Sequence, residues 1–268
     1  MGLYPRLNFQ TNLLPQTCFL IMPPMFGEIF NTHAEKIDYQ FHEGAEGARD
    51  LLVIGHGVTG NKDRPFVLGL AEAVAEEGMP VLRMSFSGNG DSGGRFGDCT
   101  ISKEVEDLKA VLDAISASNL RVTYAGHSMG GAVGVLAAAS DPRIRYLVSL
   151  AGMVNTAAFH EREFGEEIPG EGCMWEDPSC PLSTTFASDM QNIGSVAPKA
   201  VGISVPWLLV HGTADDVVPI EDSLEIFELA KEPKALVQIP GADHVFSGDA
   251  LPRMSEAVIA WLGDTLRR

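Results

Sequence analysis

Apolar positions in this chain fall into short runs separated by longer stretches of mixed polarity, and their spacing predicts strands alternating with helices. Leu51-Leu52-Val53-Ile54 is apolar throughout, as a strand covered on both faces of a parallel sheet must be. Val81–Phe86, Leu120–Ala125, Ile144–Leu150, Pro206–Val210 and Ala235–Ile239 are short and rich in apolar, β-branched or aromatic residues, and read as further strands. Ile37–His42 alternates apolar with polar positions, the mark of a half-buried edge strand. Between the runs, Phe66–Glu77, Ser102–Ala117, Ala132–Ala139, Leu224–Ala230 and Arg253–Leu266 carry helical patterns; the alanine-rich stretch 132–139 stops at Asp141-Pro142. The expected class is α/β, a mostly parallel central sheet with helices on both faces.

The alternation fails in two places. Residues 1–30 are broken by proline, have no period, and are set apart as an N-terminal segment without an assigned role. Residues 152–204 interleave Phe159, Phe164, Met174, Trp175, Phe186 and Met190 with acidic residues and four prolines. Such an insertion reads as a lid over a site, leaving 31–151 and 205–268 as the core. Trp175 and Phe186 are expected to line a substrate pocket, so that truncating either shifts substrate preference more than stability.

The strongest local motif is Gly126-His127-Ser128-Met129-Gly130, a G-x-S-x-G pentapeptide between a predicted strand and a predicted helix. A serine there sits on a tight turn with its hydroxyl at a helix N-terminus, where free N–H groups favour negative charge. Serine hydroxyls are weak nucleophiles without a histidine to take the proton and a carboxylate to orient that histidine. Asp215 and His244 follow in chain order, each in the loop after a later strand, so a parallel sheet would bring all three to one edge. Asp216, Asp243 and Asp249 are rival acids. His56 and His211, in strand-end turns, read as structural, and His33, His42 and His160 have no evident partner. Two G-x-G-x-x-G matches, at Gly55/Gly57/Gly60 and Gly88/Gly90/Gly93, lack the acidic residue a dinucleotide site needs after the next strand, and read as turns.

Composition narrows the partners. At 268 residues the chain can bury one large α/β core. Nineteen basic against 36 acidic residues give a net charge of −17, which repels phosphate backbones and anionic lipid, so neither nucleic acid nor a membrane is expected. Cys18, Cys99, Cys173 and Cys180 fit no metal-ligand spacing, although Cys173 and Cys180 could close a short loop. No metal or cofactor is expected. No apolar run reaches membrane-spanning length and no clear cleavage site follows residues 13–26, so a cytoplasmic location is the expectation, with secretion left open. The oligomeric state is open, a homodimer included.

Taken together, His56-Gly57, the stretch Ser85–Ser92, the GHSMG pentapeptide, HGTADDVVP at 211–219 and GADH at 241–244 resemble the α/β-hydrolase superfamily from about Ile37 onward. The resemblance implies Ser128 as nucleophile, Asp215 as acid, His244 as base, an oxyanion hole from the N–H groups of Val58 and Met129, and a lid inserted after the superfamily's sixth strand. HGVTGNK and the stretch Ser87–Asp107 look most like small carboxylesterases, the cinnamoyl and feruloyl esterases, with acylglycerol lipases next. Residues 152–204 depart from that subgroup's pattern. The implied activity is hydrolysis of short acyl or aryl esters through an acyl-enzyme. Thioester, carbon–carbon or peptide hydrolysis, and a non-catalytic ligand receptor, are the alternatives.

Overall fold

The computed structural model of the chain describes residues 25–267. All six apolar runs become neighbouring strands: β4 (Asp50–Gly55), β5 (Val81–Met84), β6 (Arg121–His127), β7 (Ile144–Leu150), β8 (Trp207–Gly212) and β9 (Lys234–Ile239). They form a parallel sheet in the order β5-β4-β6-β7-β8-β9, and β3 (Tyr39–His42) adds antiparallel to β5 at one edge. The expected single edge strand over 37–42 is instead two pieces. Lys36–Ile37, β2, pairs with β1 (Ile29–Phe30), and the chain exchanges partners at Asp38 before β3 joins β5. Ile29 is buried in the core, so the N-terminal segment set apart above is already part of the fold at its end, while residues 1–24, Cys18 among them, lie outside the described residues.

Alternate side chains of the strands face two layers of helices. Leu52, Ile54, Val148, Leu208 and Val210 pack against α1 (Pro65–Glu76) and α7 (Ala250–Leu266) through Phe66, Leu70, Val74, Met254 and Val258. On the opposite face Leu51, Val53, Tyr124, Leu147 and Leu209 meet α2 (Ile101–Ile115), α3 (Met129–Ala138) and α6 (Ile220–Leu229). Local chemistry fixes the helix starts. Pro65 supplies the preset φ of a first helical residue, and Thr100 Oγ1 accepts the Lys103 N–H (3.0 Å) to cap α2. Because α1 and α2 lie on opposite faces, the chain reverses direction between β4 and β6. The crevice beyond the C-terminal ends of those two strands is where open α/β sheets bind ligands.

Residues 152–204 hold α4 (Thr156–Phe164), α5 (Thr184–Ile193) and two short 3-10 turns. Their apolar side chains Phe159, Phe164, Phe186 and Met190 join the core of the α2/α3 face rather than forming a second one. Polar anchors hold the insertion down. Asp222 of α6 accepts the N–H groups of Val154 and Asn155 (2.7 and 3.0 Å), and Asp189 of α5 accepts the Ser102 hydroxyl of α2 (2.6 Å). Cys173 and Cys180 face a local bridge within the insertion as free thiols. Among the described residues no helix is long and apolar enough to cross a membrane.

Candidate active site

Ser128 stands between β6 and α3 with φ 53° and ψ −120°, a left-handed strain that a non-glycine residue tolerates only when its surroundings hold it. Gly126 is what lets the turn close: a Cβ there would lie 2.0 Å from the Gly130 carbonyl oxygen. Gly57, in the loop after β4, plays the matching part from the other side, since a Cβ on it would come within 2.7 Å of the Ser128 Cβ. Two loops therefore approach the serine as closely as bare backbone allows. Ser128 N–H is tied to Leu150 O (3.0 Å) and its carbonyl accepts the Gly131 and Met153 N–H groups (2.8 and 2.9 Å), which leaves the side chain to point outward.

Met129 opens α3, so its N–H has no intrahelical acceptor. The Val58 N–H in the facing loop likewise has no acceptor among the described residues. His56 shapes that loop. Its Nε2 accepts the Phe86 N–H (3.0 Å), so Nδ1 carries the proton and donates to Gly57 O (2.8 Å). Burial first, partly offset by that bond, pushes its pKa down to about 4, which keeps the ring neutral.

The loops after β8 and β9 supply the other two residues. His244 Nδ1 donates to Asp215 Oδ2 at 2.8 Å. Asp215 Oδ1 accepts the N–H groups of Val217 and Val218 (both 2.9 Å), and its side chain is fully buried. Burial alone would raise this carboxyl's pKa; hydrogen bonds from His211 and His244 outweigh it and hold the group well below the usual carboxylate range. Ser128 and His244 line one cavity of about 440 Å³, walled mainly by apolar side chains such as Phe66, Val217, Val245 and Leu251. Ser128 Oγ and His244 make no direct hydrogen bond among the described residues. The rival acids are elsewhere: Asp216 is exposed, Asp243 accepts the Ser247 N–H (2.7 Å), and Asp249 sits at the start of α7.

Two further histidines pack at the site, with partners from other loops that a local reading does not reveal. His211 Nε2 lies 2.9 Å from Val218 O and 3.3 Å from Asp215 Oδ2, while its Nδ1 meets the Ser223 hydroxyl (2.7 Å), bracing the carboxylate from behind. His127 Nε2 donates to His244 O (2.9 Å), and its ring lies 4.6 Å from the His244 ring. Burial, reinforced by the neighbouring His244, pushes the His127 pKa down to about 3. Since that lies below the unfolded value near 6.5, the stabilisation from a neutral His127 is whole above about pH 6.5 and is lost as pH falls toward 3. Between about pH 6 and pH 4, wild type should lose roughly 1.4 kcal/mol per pH unit relative to His127→Gln, which cannot titrate. Urea unfolding across that range checks this; a pH-independent difference would mean that His127 is already charged in the fold.

Of the two insertion residues expected at the pocket, Trp175 lines the 440 Å³ cavity, half exposed, with its indole N–H on Glu163 (3.1 Å) and its ring against Phe164. Phe186 does not reach that cavity. It lines a smaller recess beside Met129 and is 2 % exposed within the core, so its packing role is larger than expected.

Comparison with known proteins places the chain. The model of the prolyl oligopeptidase family matches residues 69–268. A protein from Salmonella typhimurium called YfhR, described as uncharacterized, is 28% identical over 236 residues, covering 82% of this chain and 74% of its own. The solved structure of Est1E from Butyrivibrio proteoclasticus with ferulic acid bound superposes with a TM-score of 0.80 at 27% identity, covering 90% of this chain and 99% of that one. Mouse alpha/beta hydrolase domain-containing protein 10 superposes with a TM-score of 0.74 at 21% identity, over 90% of this chain and 98% of its own, a likeness of fold. With its parallel sheet, flanking helices and strained serine turn, the chain belongs to the prolyl oligopeptidase family, a hydrolase of the α/β-hydrolase superfamily.

Proposed function

We propose that the protein is a serine carboxylesterase acting on small-molecule esters of short acyl or aryl acids, with Ser128, His244 and Asp215 as its catalytic triad. Ser128 Oγ attacks the ester carbonyl while His244 Nε2 takes its proton. The oxyanion is met by the Val58 and Met129 N–H groups, the second backed by the N-terminal end of α3. Collapse breaks the bond to the alcohol, which leaves with the proton from His244, and water then cleaves the acyl-enzyme by the same steps. The observation that carries this reading is the His244–Asp215 hydrogen bond at 2.8 Å, opening into the cavity that Ser128 lines. An ionised, buried acid fixes the Nδ1–H tautomer and frees Nε2 to act as base.

Residues 152–204 act as the lid, supported by Trp175 in the cavity wall and by Arg162, which donates to Val217 O next to the acid. Trp175→Ala should alter the ratio of kcat/KM between small and bulky alcohol esters with little change in melting temperature, whereas Phe186→Ala should cost about 3–5 kcal/mol of stability. Equal losses of activity and stability in both variants would remove Trp175 from the specificity wall.

The name of the matching family favours peptide cleavage as a second reading, while the likeness to Est1E, at 27% identity over 90% of the chain, favours esters. Turnover of p-nitrophenyl acetate and butyrate beside a prolyl p-nitroanilide tests the two. Ester kcat/KM should exceed that of the anilide by far; the reverse order, or no ester turnover by folded protein across pH 6–9, overturns the proposal.

A further inference from the structure

A recess with about 10 Å³ of free space, room for one water-sized group, adjoins the site: it shares Val58 and Thr59 with the large cavity, and His244 is not among its walls. Val58, Met129, Asn89, Met174, Phe186 and Glu104 are among its walls, and Val58 also borders the large cavity. Glu104 is the anomaly. It lies on the buried stripe of α2 between Ile101 and Leu108, is 1% exposed, and neither carboxyl oxygen has a hydrogen-bond partner among the described residues. Lys103, the adjacent cation, is taken by Glu35 at 2.8 Å. The acids Asp107 and Asp189 also act on Glu104, and together with burial they outweigh the smaller opposing pull of the Lys103 charge. Burial first, and then these acids, hold its pKa well above the usual carboxylate range, which favours the neutral acid, a form with one O–H to donate and one carbonyl to accept. Of the polar side chains around it, Asn89 Nδ2 donates to Ser87 O (3.3 Å) and Ser183 Oγ accepts the Phe186 N–H (3.0 Å).

We propose that this recess is the acyl pocket and that Glu104 makes it selective for short acyl groups bearing a hydroxyl or keto oxygen. The inference rests on the esterase reading and narrows it to short acyl groups, since a recess this small excludes aryl acids. His244 must reach the leaving oxygen to protonate it, so the alcohol occupies the cavity walled by His244, Val245 and Phe246. The acyl group then turns the other way, past the Val58 and Met129 N–H groups, toward Glu104. An alkyl tail would bury the carboxyl without a partner, whereas a hydroxyl can donate to its carbonyl and a keto oxygen can accept its O–H. The small free volume disfavours long chains, and the thioethers of Met129 and Met174 supply the give that a three- or four-carbon group needs.

The test compares kcat/KM for phenyl 3-hydroxybutyrate with phenyl butyrate, and phenyl lactate with phenyl propionate, in wild type, Glu104→Gln and Glu104→Leu. Wild type should favour at least one oxygenated ester by about tenfold or more, because sites built around a buried polar group discriminate strongly against the analogue that leaves it unpaired. Glu104→Gln, neutral and able to donate and accept, should keep that preference, and Glu104→Leu should bring the ratio close to one. Wild-type ratios near one with both members of each pair hydrolysed overturn the proposal alone, whether or not either variant folds. A tenfold ratio that survives in Glu104→Leu also overturns it, since the selectivity then lies elsewhere. No turnover of any of the four esters overturns the esterase reading itself.

Discussion

Ser128→Ala should lower kcat for p-nitrophenyl butyrate by roughly 10⁵- to 10⁶-fold, the scale seen when the nucleophile of such a triad is removed. The variant keeps His244, Asp215 and both free N–H groups, so what residual hydrolysis it has comes from binding and oxyanion stabilisation of attack by water. It should remain folded. Ser128 Oγ makes no hydrogen bond among the described residues, and alanine bears the same φ of 53° as serine, so its melting temperature should move by only a degree or two. A fluorophosphonate should label wild type on one serine and leave the variant unlabelled, read by mass spectrometry of peptides. Ser247 lines the same cavity and is the informative control. Label persisting there in Ser128→Ala, or turnover within tenfold of wild type, would remove Ser128 from the chemistry.

Much of this arrangement is legible in the sequence because it is imposed locally or by strand order. Leu51–Ile54 has the unbroken apolar pattern of a central parallel strand, and Gly126 and Gly130 flank Ser128 because the turn admits no side chain there. Once the strands are parallel, the loops carrying Ser128, Asp215 and His244 must share an edge. What escaped prediction depends on partners far away in the chain. The break at Asp38 arises because β2 and β3 pair with different strands, which a uniform alternation over 37–42 does not reveal. In the insertion, α4 and α5 take their burial from the α2/α3 face and their anchors from Asp222 and Ser102, so the segment's own pattern showed no helix. Ser183, whose hydroxyl caps α5 by accepting the Phe186 N–H, was the local sign available. Glu104 did leave a trace: a carboxylate on the apolar stripe Ile101, Val105, Leu108, Leu112 contradicts the amphipathic pattern.

Asp215→Asn should lower kcat by roughly a thousandfold or more, and the structure supplies the reason through the orientation that the amide must take. Oδ1 of Asp215 accepts two backbone N–H groups, from Val217 and Val218, each at 2.9 Å. An asparagine that turned its NH₂ toward those donors would set donor against donor, so its carbonyl oxygen must stay there and its NH₂ must replace Oδ2. That NH₂ then faces His244 Nδ1, at the present 2.8 Å, and His211 Nε2, at the present 3.3 Å. To accept it, His244 must give up the proton on Nδ1 and carry it on Nε2, the atom that has to be free to take a proton from Ser128. His211 cannot relieve the conflict, because its Nε2–H is held by Val218 O and its Nδ1 by Ser223. The loss should therefore fall on kcat far more than on KM, since neither the oxyanion donors nor the cavity walls change. Asp216→Asn, at an exposed carboxylate, should stay within a few-fold of wild type. Asp243→Asn keeps a side-chain oxygen for the Ser247 N–H and should likewise cost little. Measuring kcat for the three variants at pH 8 decides the assignment: a crippled Asp216→Asn or Asp243→Asn beside a near-normal Asp215→Asn would mean that the 2.8 Å contact is structural and that another carboxylate orients the base.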